Sequence, residues 1–570
     1  MNKEKNNTRL ITAALPYINN VPHLGHIVGS HLPADIFARY CRARGYDTLF
    51  IGGSDENGTP SELAAEKIGI PIETFLNKLY LKHKEVYKWF NISYDIFSRT
   101  SKDIHTKTVQ EFFKKINENG FIEKAKIKVF YSQDEKRFLP DRYIKGECPK
   151  CGYKDATGDQ CENCTSLLDP LQLINPKSAL SGGSVSTRDV EHLFLKLDKL
   201  SPKLKKWIVA QKHWRKQVSS LALGWIKEGL KKRCITRDLK HGVPVPLKGF
   251  ENKVFYVWFD APIGYLSFTK EVDPKNYQRF WKNKESRIYH FLGKDNIPFH
   301  TIFWPGMILA HKEYNLPYQV VGLQYLNYEG GKFSKSKNYG VFCERLSETK
   351  LDSDVWRAYL SQILPETGDT EFNWKEFQER VNSDLIGNYG NFFNRFITFI
   401  NNKLEGEIIE PSGKELTKID KQFLKDISKK TKEITDSLEK CELRRGFAEM
   451  LAISSIGNKY FNDAKPWEVV KDNPKRASHI LYLCATLGRT LAILSSPFLP
   501  NSAKKIWKQL NLKGNPDDKE IWDKANDLIA PKKYKINKPE RLFSIIEDAD
   551  INKYREQLSR ATPIEDFFKK

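Results

Sequence analysis

Arg9-Leu10-Ile11-Thr12-Ala13-Ala14-Leu15-Pro16-Tyr17-Ile18-Asn19-Asn20-Val21-Pro22-His23-Leu24-Gly25-His26 is the stretch that decides the fold. Arg9 to Leu15 is a short apolar run and reads as a strand, which Pro16 and the turn-forming Asn19-Asn20-Val21-Pro22 bring to an end. From His23 to Arg44 the apolar residues Ile27, Leu32, Ile36, Phe37 and Tyr40 recur at helical spacing. A second strand, Thr48 to Ile51, then ends at Gly52-Gly53. Short strand, loop, helix, short strand is the alternation of an α/β chain with a doubly wound parallel sheet. In such a sheet ligands collect outside the carboxyl ends of the strands, where both loops fall.

Further along, the rhythm breaks and returns. Residues 120–240 hold a cysteine cluster and a Lys/Trp-rich helical stretch, after which strand patterns resume at Val254–Phe259, Ile288–Leu292 and Tyr318–Val321. Two strand-rich blocks around a foreign block predict one Rossmann-like sheet domain carrying an insertion. After about residue 375 strand signals stop and long helical patterns follow, such as Ile419–Leu438 and His479–Leu494, which predicts a helical bundle.

Composition narrows the class. The chain has 570 residues, a formal net charge of +22 and a pI near 9.3. Apolar residues make up 40%, enough for a core and too many for a disordered chain. The N-terminus lacks the apolar core of a signal peptide, and the apolar stretch Ile480–Leu499 is interrupted by Arg489, as a buried helix would be. Four of the nine cysteines crowd into residues 148–164 and the rest are scattered, unlike a secreted disulfide framework, so a cytoplasmic protein is expected. The charge is local: residues 121–240 hold 25 basic and 14 acidic groups, half of the net surplus. Within them, residues 203–240 carry 12 basic groups against Glu228 and Asp238, the footprint of a phosphate-rich partner.

Three motifs carry chemistry. Cys148-Pro-Lys-Cys151 and Cys161-Glu-Asn-Cys164 are two CxxC turns whose four sulfurs suit one tetrahedral Zn²⁺, structural because no ligand position stays open. His23-Leu24-Gly25-His26 sits where a strand hands over to a helix N-terminus, a place that favours phosphate; Gly25 would let a base or ribose approach the backbone. Gly330-Gly331-Lys332-Phe333-Ser334-Lys335-Ser336-Lys337, about 300 residues later, offers lysines three apart to a polyphosphate leaving group. Either of the last two motifs alone is a weak signal.

In this order the pair resembles the HIGH and KMSKS signatures of class I aminoacyl-tRNA synthetases. Their neighbours look like the methionyl-tRNA synthetase family: Ala14-Leu15-Pro16-Tyr17, Tyr256-Val257-Trp258-Phe259-Asp260-Ala261-Pro262-Ile263-Gly264-Tyr265, Gly293-Lys294-Asp295 with Phe299-His300, the knuckle inside the insertion, Lys465-Pro466-Trp467 and the terminal Phe543-Ser544-Ile545-Ile546-Glu547-Asp548. The resemblance is collinear over essentially the whole chain. One departure is Phe333, where the family usually has Met; it keeps an apolar side chain between the lysines.

The resemblance implies a methionine–tRNA ligase that forms methionyl-adenylate from L-methionine and ATP with Mg²⁺, then transfers the methionyl group to the terminal adenosine of tRNA(Met), initiator and elongator. It implies phosphate contacts from His23, Gly25, His26, Lys332, Ser334, Lys335 and Ser336, with His23, His26, Lys332 and Lys335 catalytic. Leu15, Tyr17, Arg237, Trp258, Ala261, Pro262, Tyr265, Phe299 and His300 would line the methionine pocket, and Asp55 would pair with the α-ammonium. Asn391, Arg395 and Trp467 would read the anticodon. Expected units are a catalytic sheet domain in two halves (1–119 and 241–328), the zinc-knuckle connective insertion (120–240), a stem-contact region with the KFSKS loop (329–385), a helical anticodon-binding domain (386–535) and a strip folding back on the body (536–570). No appended basic domain is visible, so a monomer without membrane contact is expected. Two rivals are weighed. A synthetase for a branched aliphatic residue would carry a larger editing insertion, and a non-enzymatic zinc-knuckle nucleic-acid-binding protein would need neither HLGH nor KFSKS.

Overall fold

A computed structural model gives the fold; it describes residues 8–569 apart from 159, 160, 162, 165, 167, 334–338 and 530–532. Five strands form the central sheet: β1 (Arg9–Ala13), β2 (Thr48–Ser54), β3 (Ile96–Arg99), β4 (Arg287–Gly293) and β5 (Gln319–Leu323), in the order β5-β4-β1-β2-β3 and all parallel. The order reverses between β1 and β4, so the loops leaving their carboxyl ends part there and open a crevice. Ala13 pairs with Phe291 at that end, and every residue of β1 is buried, as its unbroken apolar run requires.

The helix after β1 is continuous but irregular. An α-helical turn at Leu24–His26 passes into a π-helical segment, Ile27–His31, and then into α1 (Leu32–Ala43). A π-bulge shifts the helix face by one residue where it meets the crevice.

The chain between β3 and β4 builds a separate antiparallel lobe. Ile122–Ser132 pairs with Ser186–Leu195, and a small sheet of Ile144–Glu147, Ala156–Thr157 and Ile174–Ser178 carries the four cysteines. Two helices follow, α2 (Leu197–Ala210) and α3 (Lys216–Glu228). Their buried Leu200, Leu204, Ile208, Val218 and Ala222 share a core with Met307 and Val320 of the catalytic sheet layer and with Leu193 and Leu195 at the base of the lobe, so this basic stretch is anchored where lobe and sheet meet.

The aromatic run Val254–Phe259 departs from expectation. Only Val254–Phe255 is strand; Val257–Asp260 is a helical turn, leading through Ala261–Ile263 into the helix Gly264–Val272. Periodicity cannot tell a short buried strand from a buried helical turn. Here burial on both sides of Phe255 and Phe259 supplies the apolar run without a ladder.

The C-terminal part is helical: α4 (Asn391–Leu404), α5 (Lys418–Glu439), α6 (Leu443–Ala464) and α7 (Pro474–Ser495). Helix α5 starts at a capping box between Thr417 and Asp420 and buries Phe423, Ile427, Ile434 and Leu438 at helical spacing. Helix α7 is apolar enough to cross a membrane by length and composition, yet its apolar stretch lies wholly buried inside the bundle. Its Arg489 is satisfied by the carbonyls of Lys524 and Asp527. A short two-stranded ribbon, Glu407–Ile409 with Lys533–Lys535, closes the bundle where no strand is predicted. The last residues run back over the catalytic half: Ile546 N–H donates to Asn382, Phe342 N–H to the carbonyl of Leu558, and Phe568 stacks on Phe75.

Candidate active site

Two segments far apart in sequence meet at the crevice. His23 forms a bridge with Phe342, and Leu24 N–H donates to the carbonyl of Val341, which ties HLGH to the chain leaving the KFSKS loop. His23 Nδ1 accepts from Gly25 N–H at 3.1 Å, and His26 Nδ1 accepts from His23 N–H at 3.2 Å, a capping box made of two imidazoles. Because each Nδ1 is an acceptor, the proton of each neutral ring sits on Nε2. The ring centroids are 3.9 Å apart. A Cβ on Gly25 would meet His23 Cε1 at 2.8 Å, so glycine is required here to let that ring fold back. Phe333 stacks on His23, with centroids 4.8 Å apart and planes within 13°. Lys332 is exposed at the edge of a short ribbon opposite Asn327. Ser334, Lys335 and Ser336 lie outside the described residues.

On the other side of the crevice Tyr17 bridges to Asp55, whose N–H donates to the carbonyl of Pro16. Asp55 is 4% exposed, and its Oδ1 has no hydrogen-bond partner among the described residues. Burial and the neighbouring Asp260 raise its carboxyl well above the ordinary carboxylate range. Asp260 is also buried; its Oδ2 accepts from Asn57 at 2.7 Å and lies 3.8 Å from His105 Nε2, while its Oδ1 is unpartnered. Two buried carboxylates thus share one small space with a missing counter-charge.

Aromatic residues stand beside these carboxylates, Trp258 on the same helical turn as Asp260. Trp258 and Phe299 meet edge to face at 4.9 Å, and Leu15 packs where a Cβ on Gly264 would meet it at 3.0 Å. Ala261 is half-buried and Pro262 buried at the start of the helix that carries Tyr265. Burial lowers His300 to about 4, so its ring is neutral. His300 Nδ1 donates to the Asn296 carbonyl, leaving Nε2 to accept from the Tyr265 hydroxyl at 2.9 Å. Arg237 stands one ring away: its guanidinium lies 3.7 Å from the Tyr256 centroid and is paired with Asp141 at 2.8 Å. Sequence reasoning missed Asp260 and His290. Asp260 stood inside a quoted motif without a role. His290 lies on β4, 2.6 Å from the Thr12 hydroxyl and against the Tyr265 ring, and nothing local in the sequence marks it.

The four cysteines converge. Their sulfurs all lie within 4.8 Å of one another, with Cys148–Cys164 at 3.9 Å and Cys151–Cys161 at 3.6 Å. A tetrahedral zinc with bonds of about 2.3 Å has sulfur edges of about 3.8 Å, so the thiols fit such an ion. Gly152 turns the first knuckle at φ +71°, its N–H donating to the Cys148 carbonyl.

On the bundle, Asn391 and Arg395 of α4 reach Asn458 and Asn462 of α6 at 3.4 and 2.7 Å. The Arg395 guanidinium lies over Phe461, against which Trp467 packs while remaining 38% exposed. All three residues therefore share one surface. On α2 and α3, Lys203, Lys205, Lys206, Lys212, Lys216 and Lys227 are exposed, whereas Arg215 is drawn inward to Glu366 and the Cys441 carbonyl.

Comparison with known proteins places this geometry. Residues 9–397 match the family model of class I tRNA synthetases (M), and residues 410–562 match the anticodon-binding domain of methionyl tRNA ligase. A methionine–tRNA ligase of Rubrobacter xylanophilus is 41% identical, covering 98% of both chains. The cytoplasmic methionine–tRNA ligase of Saccharomyces cerevisiae is 40% identical over 96% of this chain and 73% of its own length. The Mycobacterium tuberculosis methionyl-tRNA synthetase structure in complex with methionyl-adenylate superposes with a TM-score of 0.78 over 94% of this chain and 99% of that one; at 23% identity it speaks for the fold. With its Rossmann-like parallel sheet, its helical C-terminal domain and a family match across nearly its whole length, the chain belongs to the class I tRNA synthetases of the methionyl family.

Proposed function

We propose that this chain joins L-methionine to tRNA in two steps at the crevice beside β1 and β4. The observation that carries the reading is the pair of buried carboxylates, Asp55 and Asp260, each with one oxygen unpartnered among the described residues; we read the neighbouring Tyr17, Tyr265 and Trp258 as their apolar aromatic wall. A zwitterionic amino acid with an apolar side chain supplies what that space lacks: an ammonium for the carboxylates and a body for the wall. The Tyr265 hydroxyl donates to His300, which fixes the orientation of that ring. Polarisable sulfur gains about 0.3–1.5 kcal/mol per aromatic contact, which favours a thioether over a plain alkyl chain.

With the ammonium at Asp55, the methionine carboxylate attacks the α-phosphorus of ATP. The P–O bond to pyrophosphate breaks, and methionyl-adenylate forms. Little covalent work is left to the protein, so positioning and charge stabilisation dominate. His23 and His26 offer Nε2–H donors to phosphate oxygens as charge develops on them, and Lys332 and Lys335 neutralise the departing pyrophosphate. The signature loop is joined to HLGH through Val341 and Phe342, which would let closure of one set the other. Mg²⁺ accompanies ATP and shares the pyrophosphate charge. In the second step a hydroxyl of the tRNA's terminal adenosine attacks the methionyl carbonyl and AMP leaves.

Cys148, Cys151, Cys161 and Cys164 would hold one Zn²⁺, which braces the knuckle and takes no part in the chemistry. The exposed lysines of α2 and α3 would meet the tRNA phosphates near the acceptor end, and Asn391, Arg395 and Trp467 the anticodon; stacking a base on Trp467 would contribute about 1–3 kcal/mol. We read the chain as charging initiator and elongator tRNA alike, and as a monomer.

Methionine-dependent ATP–pyrophosphate exchange tests the reading. Exchange should require methionine and no other amino acid. Trp258→Ala should raise the methionine KM at least tenfold with a smaller change in kcat. Exchange driven by leucine or valine instead, or a Trp258→Ala enzyme with an unchanged KM, would overturn the assignment.

A further inference from the structure

A cluster of reactive groups lies outside the site described above. Cys234 pairs across the antiparallel lobe with Phe194, which puts its side chain on the same sheet face as His192 two residues earlier. His192 Nδ1 lies 2.9 Å from the Thr236 hydroxyl, which accepts from Leu193 N–H and so gives its own proton to the ring. The ring proton therefore sits on Nε2, 3.1 Å from Asp238 Oδ2, while Asp238 Oδ1 is held by Lys253. Thiol, imidazole and carboxylate all open on a cavity of about 600 Å³ bounded by the lobe, by Arg233 and by Tyr256 and Trp258 of the catalytic half. Arg233 stacks on Trp258 at 4.7 Å and takes part in no ion pair among the described residues, so it offers a guanidinium to a carboxylate entering the cavity.

We infer that Cys234 is a reversible modification site that forms mixed disulfides with small carboxylate-bearing disulfides, and that the adduct silences the neighbouring methionine site. The other cysteines outside the knuckle, Cys41, Cys343, Cys441 and Cys484, are buried, whereas Cys234 is partly exposed on the cavity. Burial alone would push its thiol up, but the hydrogen bond to His192 and the charge of Arg237 bring it below the ordinary value. The thiol gives its proton to solvent, and the His192 ring N–H favours the thiolate that remains. The thiolate then attacks one sulfur of the disulfide, the S–S bond breaks as the Cys234–sulfur bond forms, and the second sulfur leaves with the electron pair and takes a proton from solvent. No net oxidation of the pair occurs. An adduct there presses on Trp258 and Tyr256, so its effect on activity rests on the reading of Trp258 as a wall of the methionine pocket; its formation does not.

The test uses the full-length protein with its metal and oxidised glutathione as the probe. Adduct positions are mapped by mass spectrometry, and exchange and tRNA charging are measured before treatment, after it, and after reduction by dithiothreitol. The adduct should map to Cys234 ahead of every other cysteine, cut both activities at least tenfold, and be reversed by the reductant. Cys234→Ser should be active and resistant. His192→Gln should be active and form the adduct about tenfold more slowly, a readout that simple burial of the thiol would not move. Adducts confined to other cysteines, equal inhibition of Cys234→Ser, or an adduct at Cys234 that leaves both activities untouched would each overturn the inference. Untreated protein without exchange would count against the functional reading instead, and leave the mapping result standing.

Discussion

Asp55 and Asp260 show how a single residue's chemistry depends on a partner that the sequence keeps about 200 positions away. Burial and then the charge of Asp260 hold the Asp55 carboxyl above the usual carboxylate range, so in the empty site it keeps a proton to higher pH than a surface aspartate does. The ionised form is the one that pairs with an ammonium. The methionine KM should therefore rise as pH falls through the raised Asp55 pKa, at a pH where an ordinary carboxylate would still be fully ionised. Removing the neighbouring charge with Asp260→Asn lowers that pKa, so the rise should move to lower pH. A pH profile of KM in both proteins checks this; a rise at the same pH in each would remove Asp260 from the account. The two histidines were legible in sequence because they are local, three residues apart after a strand. Their tautomers were not, since these follow from Gly25 and His23 N–H groups whose direction only the turn defines. Phe333 was visible as a departure, but its stacking on His23 joins positions about 310 residues apart and has no local signal.

Among the elements, those with a strong period were readable and those without were not. β1, β4 and the helices α5 and α7 lie where the apolar spacing puts them. Val254–Phe259 misled because six consecutive apolar residues, five of them buried, look the same as strand or as turn and helix. The knuckle is the opposite case, an element with almost no apolar pattern that four cysteines nevertheless announce. Its core is small: Phe130, Leu139, Tyr143, Ile144, Ala156 and Leu173 pack with Cys148 and Cys161, and Leu63 alone joins it from the sheet domain. So few side chains hold a lobe poorly by burial alone, and an ion bound by the four cysteines would supply much of the remaining stability. Removing the metal with a strong chelator should open residues 140–180 to proteases while the catalytic sheet stays folded. tRNA charging should fall more than methionine-dependent exchange. Cleavage confined to the bundle, or an unchanged digestion pattern, would mean the lobe stands without an ion.

At the scale of the whole molecule, one guanidinium joins three parts of the chain. Arg357 is fully buried; it donates to the carbonyls of Phe90, Pro497 and Phe498 at 2.8–2.9 Å and lies 2.8 Å from Asp35. Asp35 belongs to α1, the helix that HLGH begins, and Pro497 and Phe498 end the bundle's central helix α7. The geometry of the HLGH turn and the placement of the bundle thus share a single buried junction. Burial opposes the charge on Asp35, but Arg39, Arg357 and Ser93 together hold its carboxyl below the ordinary value. A carboxyl with a depressed folded-state pKa lends stability at pH above its unfolded value and loses it as pH falls through the folded one. Arg357→Met removes the donor while leaving three carbonyls and a half-paired carboxylate buried, which costs about 3–5 kcal/mol. Arg357→Lys should recover little, because one ammonium cannot reach three carbonyls and a carboxylate at once. In a chain of several units this should show as an early, separate step in thermal unfolding rather than as a shift of one transition. The wild type should approach the same behaviour only in strong acid, below the depressed Asp35 pKa. Because the junction spans the chain without touching substrate, charging should lose far more than exchange does at temperatures below that step. Equal losses in the two activities would place Arg357 in the stability of the catalytic sheet alone, and a Met variant that unfolds in one unshifted transition would show that the bundle is held by its packing and not by this residue.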